Sequence, residues 1–171
     1  MPLEKSALFD FLDILNDELT RTITLIAVGG TAMTLLDLKP STIDVDFTIP
    51  SNDFQEYKRA EKSMPPHGLK IHIWPDGWIF CQSLPDDYLT KSITIKRFTN
   101  ILLKALHPAD IVVTKIGRLD ERDIQDIEKC IRKFNISKAE IETRAAIVGP
   151  TYVPRKEDYL HNLQWVIEKF F

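Results

Sequence analysis

Residues Ile43 to Ile49, IDVDFTI, alternate without a break: Ile43, Val45, Phe47 and Ile49 fall on one side, Asp44, Asp46 and Thr48 on the other. A period of two belongs to a β-strand with one buried and one polar face. Such a strand must lay its apolar side on other elements while it carries two carboxylates on the opposite side. Upstream, Ile23 to Val28 (ITLIAV) is a nearly continuous apolar run rich in β-branched residues, the pattern of a buried strand, and it stops at Gly29 and Gly30. Thr31 to Leu38 reads as a short helix stopped by Pro40.

The remaining periodicities extend this into a mixed sheet with helices. Leu8, Phe11, Leu12, Leu15 and Leu19 recur at helical spacing after Ser6, a candidate N-cap, and a second helix is expected from about Asp53 to Met64. Leu69 to Trp74 (LKIHIW) alternates, and Pro75 to Gly77 (PDG) signals a turn into a further strand at WIF. Ser92 to Phe98 and Asn100 to Leu106 form another strand-like pair. From Ala109 the period becomes helical, predicting helices at Asp110–Leu119, Glu121–Phe134, Ser137–Val148 and Lys156–Phe171. The fold class expected is α+β, a short mixed sheet flanked by helices with a helical carboxyl-terminal third. The domain reading is one compact unit, a core over residues 1–106 with residues 107–171 packed on it.

Composition narrows the function classes. With 171 residues and 44% hydrophobic content the chain suits one core with a small helical annex. Its 22 basic and 25 acidic residues give a formal charge of −3, so no global attraction to nucleic acid or anionic lipid is expected, and any nucleic-acid contact must come from a local patch. Cys81 and Cys130 are too few for a disulfide framework and do not form a CxxC motif. Acids run through the amino-terminal apolar stretch, unlike a signal peptide, and no run approaches a membrane span. The expectation is a soluble, cytoplasmic protein with no membrane partner.

Two aspartates at i and i+2 on a strand project from one face about 7 Å apart, given a rise of about 3.3 Å per residue. Their carboxylates can converge on one divalent ion, and Mg²⁺ commonly takes one or two carboxylates together with substrate phosphates. Gly29 and Gly30, between a buried strand and a helix, can let backbone N–H groups approach a phosphate. Each half alone has a plainer reading: a tight turn, and a solvent-facing strand with two acids. It is their order that carries weight.

That order, strand, Gly-Gly, short helix, then a strand bearing DxD, resembles the nucleotidyltransferase superfamily built on the DNA polymerase beta core, over about Ile23 to Leu106. Asp110 to Ile127, DIVVTKIGRLDERDIQDI, adds a resemblance to the Lys and RDxxD segments of minimal nucleotidyltransferases related to the AbiEii-type toxins of bacterial abortive-infection systems and their archaeal relatives. The resemblance implies that Gly29, Gly30 and Thr31 hold a triphosphate and that Asp44 and Asp46 bind Mg²⁺ or Mn²⁺. It also implies that Lys115 and Arg122 meet phosphate, and that Asp126, or Asp123, activates the acceptor or orients Arg122. If the second segment is one continuous helix, Lys115, Arg122 and Asp126 lie within about 40° on one face; a helix break at Gly117 would void that argument, and a charged helix face with i, i+4 pairs is also ordinary surface.

The activity implied is transfer of a nucleoside monophosphate from an NTP to a tRNA end or a protein hydroxyl, in a toxin-antitoxin or defence setting with a cognate antitoxin or partner protein. The pattern departs from the family at one point. A third carboxylate is expected on a later strand, and LKIHIW offers His72 there, a residue that suits Zn²⁺, Mn²⁺ or Fe²⁺ better than Mg²⁺. The rival reading is therefore a catalytically silent nucleotidyltransferase fold serving nucleotide binding or protein interaction. Trp74 and Trp78 flank the PDG turn as candidates for base stacking or a hairpin pair. Lys96, Arg97 and Lys104 could form a small basic strip for a nucleic-acid acceptor, although three residues on strands do not distinguish this from ordinary surface charge.

Overall fold

The computed structural model describes all 171 residues. In chain order the elements are β1 (Leu3–Glu4), α1 (Lys5–Glu18), β2 (Ile23–Ala27), α2 (Gly29–Leu35), β3 (Ser41–Thr42), β4 (Val45–Ile49), α3 (Ser51–Ser63), β5 (Ile71–Pro75), β6 (Trp78–Ile79), β7 (Gln82–Ser83), α4 (Tyr88–Lys91), β8 (Ile93–Arg97), β9 (Ile101–Ala105), α5 (Pro108–Lys115), α6 (Glu121–Phe134), α7 (Lys138–Val148), a 3₁₀ turn (Gly149–Thr151) and α8 (Lys156–Phe170). This is the mixed α+β class expected, with a helical carboxyl-terminal part. Its residues gather into two compact units, the first comprising residues 1–77 and 92–106, the second residues 78–91 and 107–171.

The first unit is a five-stranded mixed sheet in the order β5-β4-β2-β9-β8. β2 lies at its centre, antiparallel to β4 and parallel to β9, while β4 is parallel to β5 and β8 antiparallel to β9. The apolar face is built from Ile23, Leu25 and Ala27, from Val45, Phe47 and Ile49, and from Ile101, Leu103 and Ala105, all essentially buried. Leu8, Phe11, Leu12 and Leu15 of α1 and Tyr57 and Ala60 of α3 complete the core. A core residue shielded from water contributes roughly 25 cal/mol per Å² of apolar area, so this continuous face holds the sheet together.

Several local expectations change. α1 starts at Lys5 with Glu4 as its N-cap and no side-chain cap bond, so Ser6 lies inside the helix. Strand β4 begins at Val45; Ile43 is exposed and Asp44 sits just before the strand. All of β4 is buried, Thr48 included, because the Thr48 hydroxyl donates to the Trp74 carbonyl and accepts from the Gly77 N–H. The PDG turn does not close a hairpin: β5 pairs in parallel with β4, and β6 pairs with β7 in a separate ribbon.

In the second unit α5 is buried along its length and contacts both α6 and α7. The segment 78–91 belongs to this unit through side chains that reach the helices. The Gln82 amide donates to the Thr114 carbonyl (2.8 Å), the Thr151 hydroxyl accepts from the Ser83 N–H (2.8 Å), and Arg144 of α7 binds Asp87 (2.7 Å). Tyr159 of α8 donates to the Val113 carbonyl, and Asn162 to those of Ile116 and Gly117. No helix is long and apolar enough to cross a membrane.

Candidate active site

The Gly-Gly turn and the DxD segment are joined through one hydroxyl. Thr31, in the first turn of α2, donates to the Asp44 carbonyl (3.1 Å) and accepts from the Asp46 N–H (2.9 Å). The Val28 N–H, just before the turn, donates to the Asp46 carbonyl (3.0 Å). The backbone that aims both carboxylates is thus clamped to the start of α2. Both glycines have a steric reason as well. Gly29 has φ of 55°, which favours glycine, and a Cβ on Gly30 would meet the Thr42 hydroxyl at 2.9 Å. That hydroxyl also donates to the Asp44 carbonyl (2.8 Å), so close approach at Gly30 tightens the same corner.

The two carboxylates have different surroundings. Asp44 is half-exposed, with the Lys70 ammonium 3.6 Å away. Asp46 is only 8% exposed. Directly across from it in the parallel β4–β5 register stands His72, whose Nδ1 lies 2.9 Å from Asp46 Oδ1. Burial raises the Asp46 pKa above the ordinary carboxylate value; the His72 hydrogen bond and charge oppose this, the Asp44 charge raises it further, and the Trp74 indole N–H lowers it. The position at which the family pattern places a third carboxylate therefore holds a partner for Asp46, His72. With Asp46 ionised, His72 presents Nδ1–H to it and keeps Nε2 as its other ring nitrogen. His72 and Trp74 pack edge to face, centroids 6.4 Å apart, which puts Trp74 beside the carboxylate rather than in a hairpin with Trp78.

The second group of expected residues lies in the second unit and is arranged differently from the single helical face. Asp110 to Ile127 is not one helix: α5 ends at Lys115, Leu119 adopts φ of 47°, and α6 starts at Glu121. A Cβ at Gly117 would meet the Tyr152 ring at 2.4 Å, so the glycine between the helices has a packing role. The break brings the Lys115 ammonium 3.1 Å from Asp123 and 3.0 Å from Asp126. Arg122 points out as an exposed residue of α6, and it is Arg118 that holds Asp123, at 2.7 and 2.8 Å. Asp123 is fully buried. Burial works against its ionisation, but the Arg118 hydrogen bond and the Lys115 charge outweigh it and lower the pKa.

Arg118 and the capping function of Asp123 escaped the sequence reading. The readable signal was the D-x-x-D of Asp120 to Asp123, which forms a capping box at the start of α6. The Asp46–His72 contact carries no comparable signal, because it depends on the register of two strands far apart in sequence. No group of three or more His, Cys, Asp or Glu side chains is arranged to hold a metal ion. Asp44 and Asp46 offer a partial oxygen set for a hard cation, two acids on one backbone corner whose charges repel.

No curated protein and no solved structure matches the chain. Residues 6–165 match a family described as "Nucleotidyltransferase of unknown function (DUF6036)". That match spans both the clamped DxD corner and the Lys115 cluster, and the chain therefore belongs to this nucleotidyltransferase family.

Proposed function

We propose that the protein transfers a nucleoside monophosphate from an NTP to a hydroxyl of an RNA, such as a tRNA end, or of a protein. The observation that carries this reading is the Thr31 clamp, which joins the Gly-Gly start of α2 to the backbone of Asp44 and Asp46 within a chain of nucleotidyltransferase ancestry. In the reaction the acceptor oxygen bonds to the α-phosphorus, the bond from that phosphorus to the bridging oxygen breaks, pyrophosphate leaves with the electron pair, and the hydroxyl proton passes to solvent. Positioning of the two oxygens in line supplies much of the rate.

Asp44 and Asp46 would hold Mg²⁺ or Mn²⁺, with nucleotide phosphates completing the oxygen set; when bound, the ion supplies Lewis-acid stabilisation of phosphate charge. Gly29, Gly30 and Thr31 shape the phosphate-side backbone. His72 restrains Asp46 through Nδ1, and its place beside the carboxylate also makes it a candidate ligand for Mn²⁺. A toxin-antitoxin setting with a cognate partner protein belongs to the same proposal through the AbiEii-type resemblance.

Incubation with each labelled NTP, Mg²⁺ or Mn²⁺, and total RNA or cell lysate is expected to yield a labelled macromolecule. Asp44→Asn with Asp46→Asn is expected to abolish it. The second reading, a silent fold that binds nucleotide or protein, is favoured by His72 standing in the third-acid position. Its protein-interaction form prevails if the wild-type protein labels nothing and no NTP with metal raises its melting temperature.

A further inference from the structure

Each acid of the DxD corner has a partner directly across from it at β5. His72 meets Asp46 in the parallel β4–β5 register, and the same register carried back two residues sets Lys70 opposite Asp44, where the Val45 N–H donates to the Lys70 carbonyl (3.0 Å). Side chains alternate along a strand, so Lys70, His72 and Trp74 fall on the Asp46 face, and a 3.6 Å contact with Lys70 brings Asp44 to it. The two contacts differ in access. The Asp46 side chain is nearly buried, whereas those of Lys70 and Asp44 are 70% and 44% exposed. β5 is an edge strand, and residues 65–68 leading to it are exposed, so solvent reaches this end of the corner directly.

Lys70 is also the loosely held member of the corner. Its ammonium stands 3.6 Å from Asp44 Oδ1, against 3.0 and 3.1 Å for the buried Lys115 with Asp126 and Asp123. An exposed ion pair of this kind contributes little and exchanges readily for other partners. The Asp44 backbone is fixed, because its carbonyl accepts from the Thr31 and Thr42 hydroxyls. The lysine can move, having a four-carbon stem that carries a compact charge. A divalent ion arriving alone at Asp44 would meet that ammonium within a few ångströms, and the two cations repel. A polyphosphate arriving with the ion removes the conflict, since its oxygens accept the ammonium as Asp44 releases it.

Building on the reading of Asp44 and Asp46 as metal ligands, we infer that Lys70 is a phosphate-binding residue that leaves Asp44 for the triphosphate when the metal–nucleotide complex enters, so that metal and triphosphate bind together and the bare ion binds poorly. The topology supports this place for it. β4 runs antiparallel to β2 and parallel to β5, so the Gly-Gly end of β2, Asp44 before β4 and Lys70 before β5 lie at one end of the sheet with β4 in the middle. The corner is thus flanked by the Gly-Gly backbone on one side and by the Lys70 ammonium on the other. Asp46 keeps its His72 contact through the exchange.

Isothermal titration calorimetry with Mn²⁺ alone, and with the Mn²⁺ complex of inorganic tripolyphosphate, tests this on wild type, Lys70→Gln and Lys70→Arg, each checked for folding by circular dichroism. Lys70→Gln should bind bare Mn²⁺ roughly fivefold more tightly and Mn²⁺–tripolyphosphate roughly fivefold more weakly, while Lys70→Arg keeps the wild-type order. The opposite signs are the signature, because a lysine with a structural role alone would change both affinities in one direction or neither. Equal affinities in wild type and Lys70→Gln, or no binding of the tripolyphosphate complex by wild type, overturn the inference. Weaker tripolyphosphate binding with bare Mn²⁺ unchanged also overturns it, since that leaves a phosphate contact without the exchange. Mn²⁺ affinity that survives Asp44→Asn with Asp46→Asn overturns it together with the metal reading on which it rests. Failure of wild type to transfer any nucleotide removes the transferase reading alone, because these titrations need no turnover.

Discussion

At the residue scale, Thr31 does more for the candidate site than its neighbours suggest. A β-branched residue after Gly-Gly reads as a helix start, yet its hydroxyl serves one donor and one acceptor on the DxD backbone. Thr31→Val keeps the shape and removes both bonds, leaving the buried Asp46 N–H without its partner. The expected cost is about 2 kcal/mol in chemical denaturation, with transfer activity lost as well, while Thr31→Ser retains both bonds and most of the activity. Asp46 gives a prediction of opposite sign. Its folded pKa is raised, so the folded state disfavours the charged carboxylate, and protonation at falling pH adds stability. Asp46→Asn is accordingly expected to melt at or above the wild-type temperature without nucleotide or metal while labelling nothing; a clear drop in melting temperature would show that the His72 contact outweighs burial. Gly29, Gly30, Asp44 and Asp46 stand out in the sequence because their order along the chain is unusual. Their clamp does not, since a threonine hydroxyl has many equally plausible partners.

At the element scale, the decisive feature is the break between α5 and α6. The sequence predicts separate helices at Asp110–Leu119 and Glu121–Phe134, and only an unbroken helix through both would set Lys115, Arg122 and Asp126 on one face. Gly117 against the Tyr152 ring, Leu119 in the left-handed region and the Asp120–Asp123 capping box end that continuity. The second helix then returns Asp123 and Asp126 to Lys115. The Asp123 pKa is lowered by its cations, so its contribution is present above the ordinary Asp value of 3.8 and is lost as pH falls through the lower folded value. Asp123→Ala leaves the Lys115 ammonium, 11% exposed, with one acid fewer, takes the carboxylate from Arg118 and removes the acceptor of the Asp120 N–H, while the Asp120 N-cap bond itself remains. A loss of about 3 kcal/mol is expected at neutral pH, measured by urea unfolding, and the gap from wild type should narrow in strong acid. A gap independent of pH would rule out an ionised Asp123 as its source.

At the scale of the whole molecule, the two units are continuous neither in sequence nor in period. Residues 78–91 belong with the carboxyl-terminal helices although strands precede and follow them. Arg144 is central to this: it forms a paired contact with Asp110 at 2.7 Å on each oxygen and reaches Asp87 at 2.7 Å. Arg144→Ala strands Asp110, which is fully buried, and is expected to cost about 3–5 kcal/mol, whereas Arg144→Met with Asp110→Leu should recover most of that loss. Denaturation curves of both variants separate a buried charge left alone from a missing packing volume. The sequence by itself determined the longer strands and helices, the mixed class and the order of the Gly-Gly and DxD motifs, but not the short strands β1, β3 and β7, because periodicity and local turn chemistry act over a few residues. Tertiary structure alone decided that His72 restrains Asp46, that Arg118 rather than Arg122 holds Asp123, and that residues 78–91 join the helices. Each of these depends on strand register or on side chains meeting across long stretches of chain, and no local pattern encodes that.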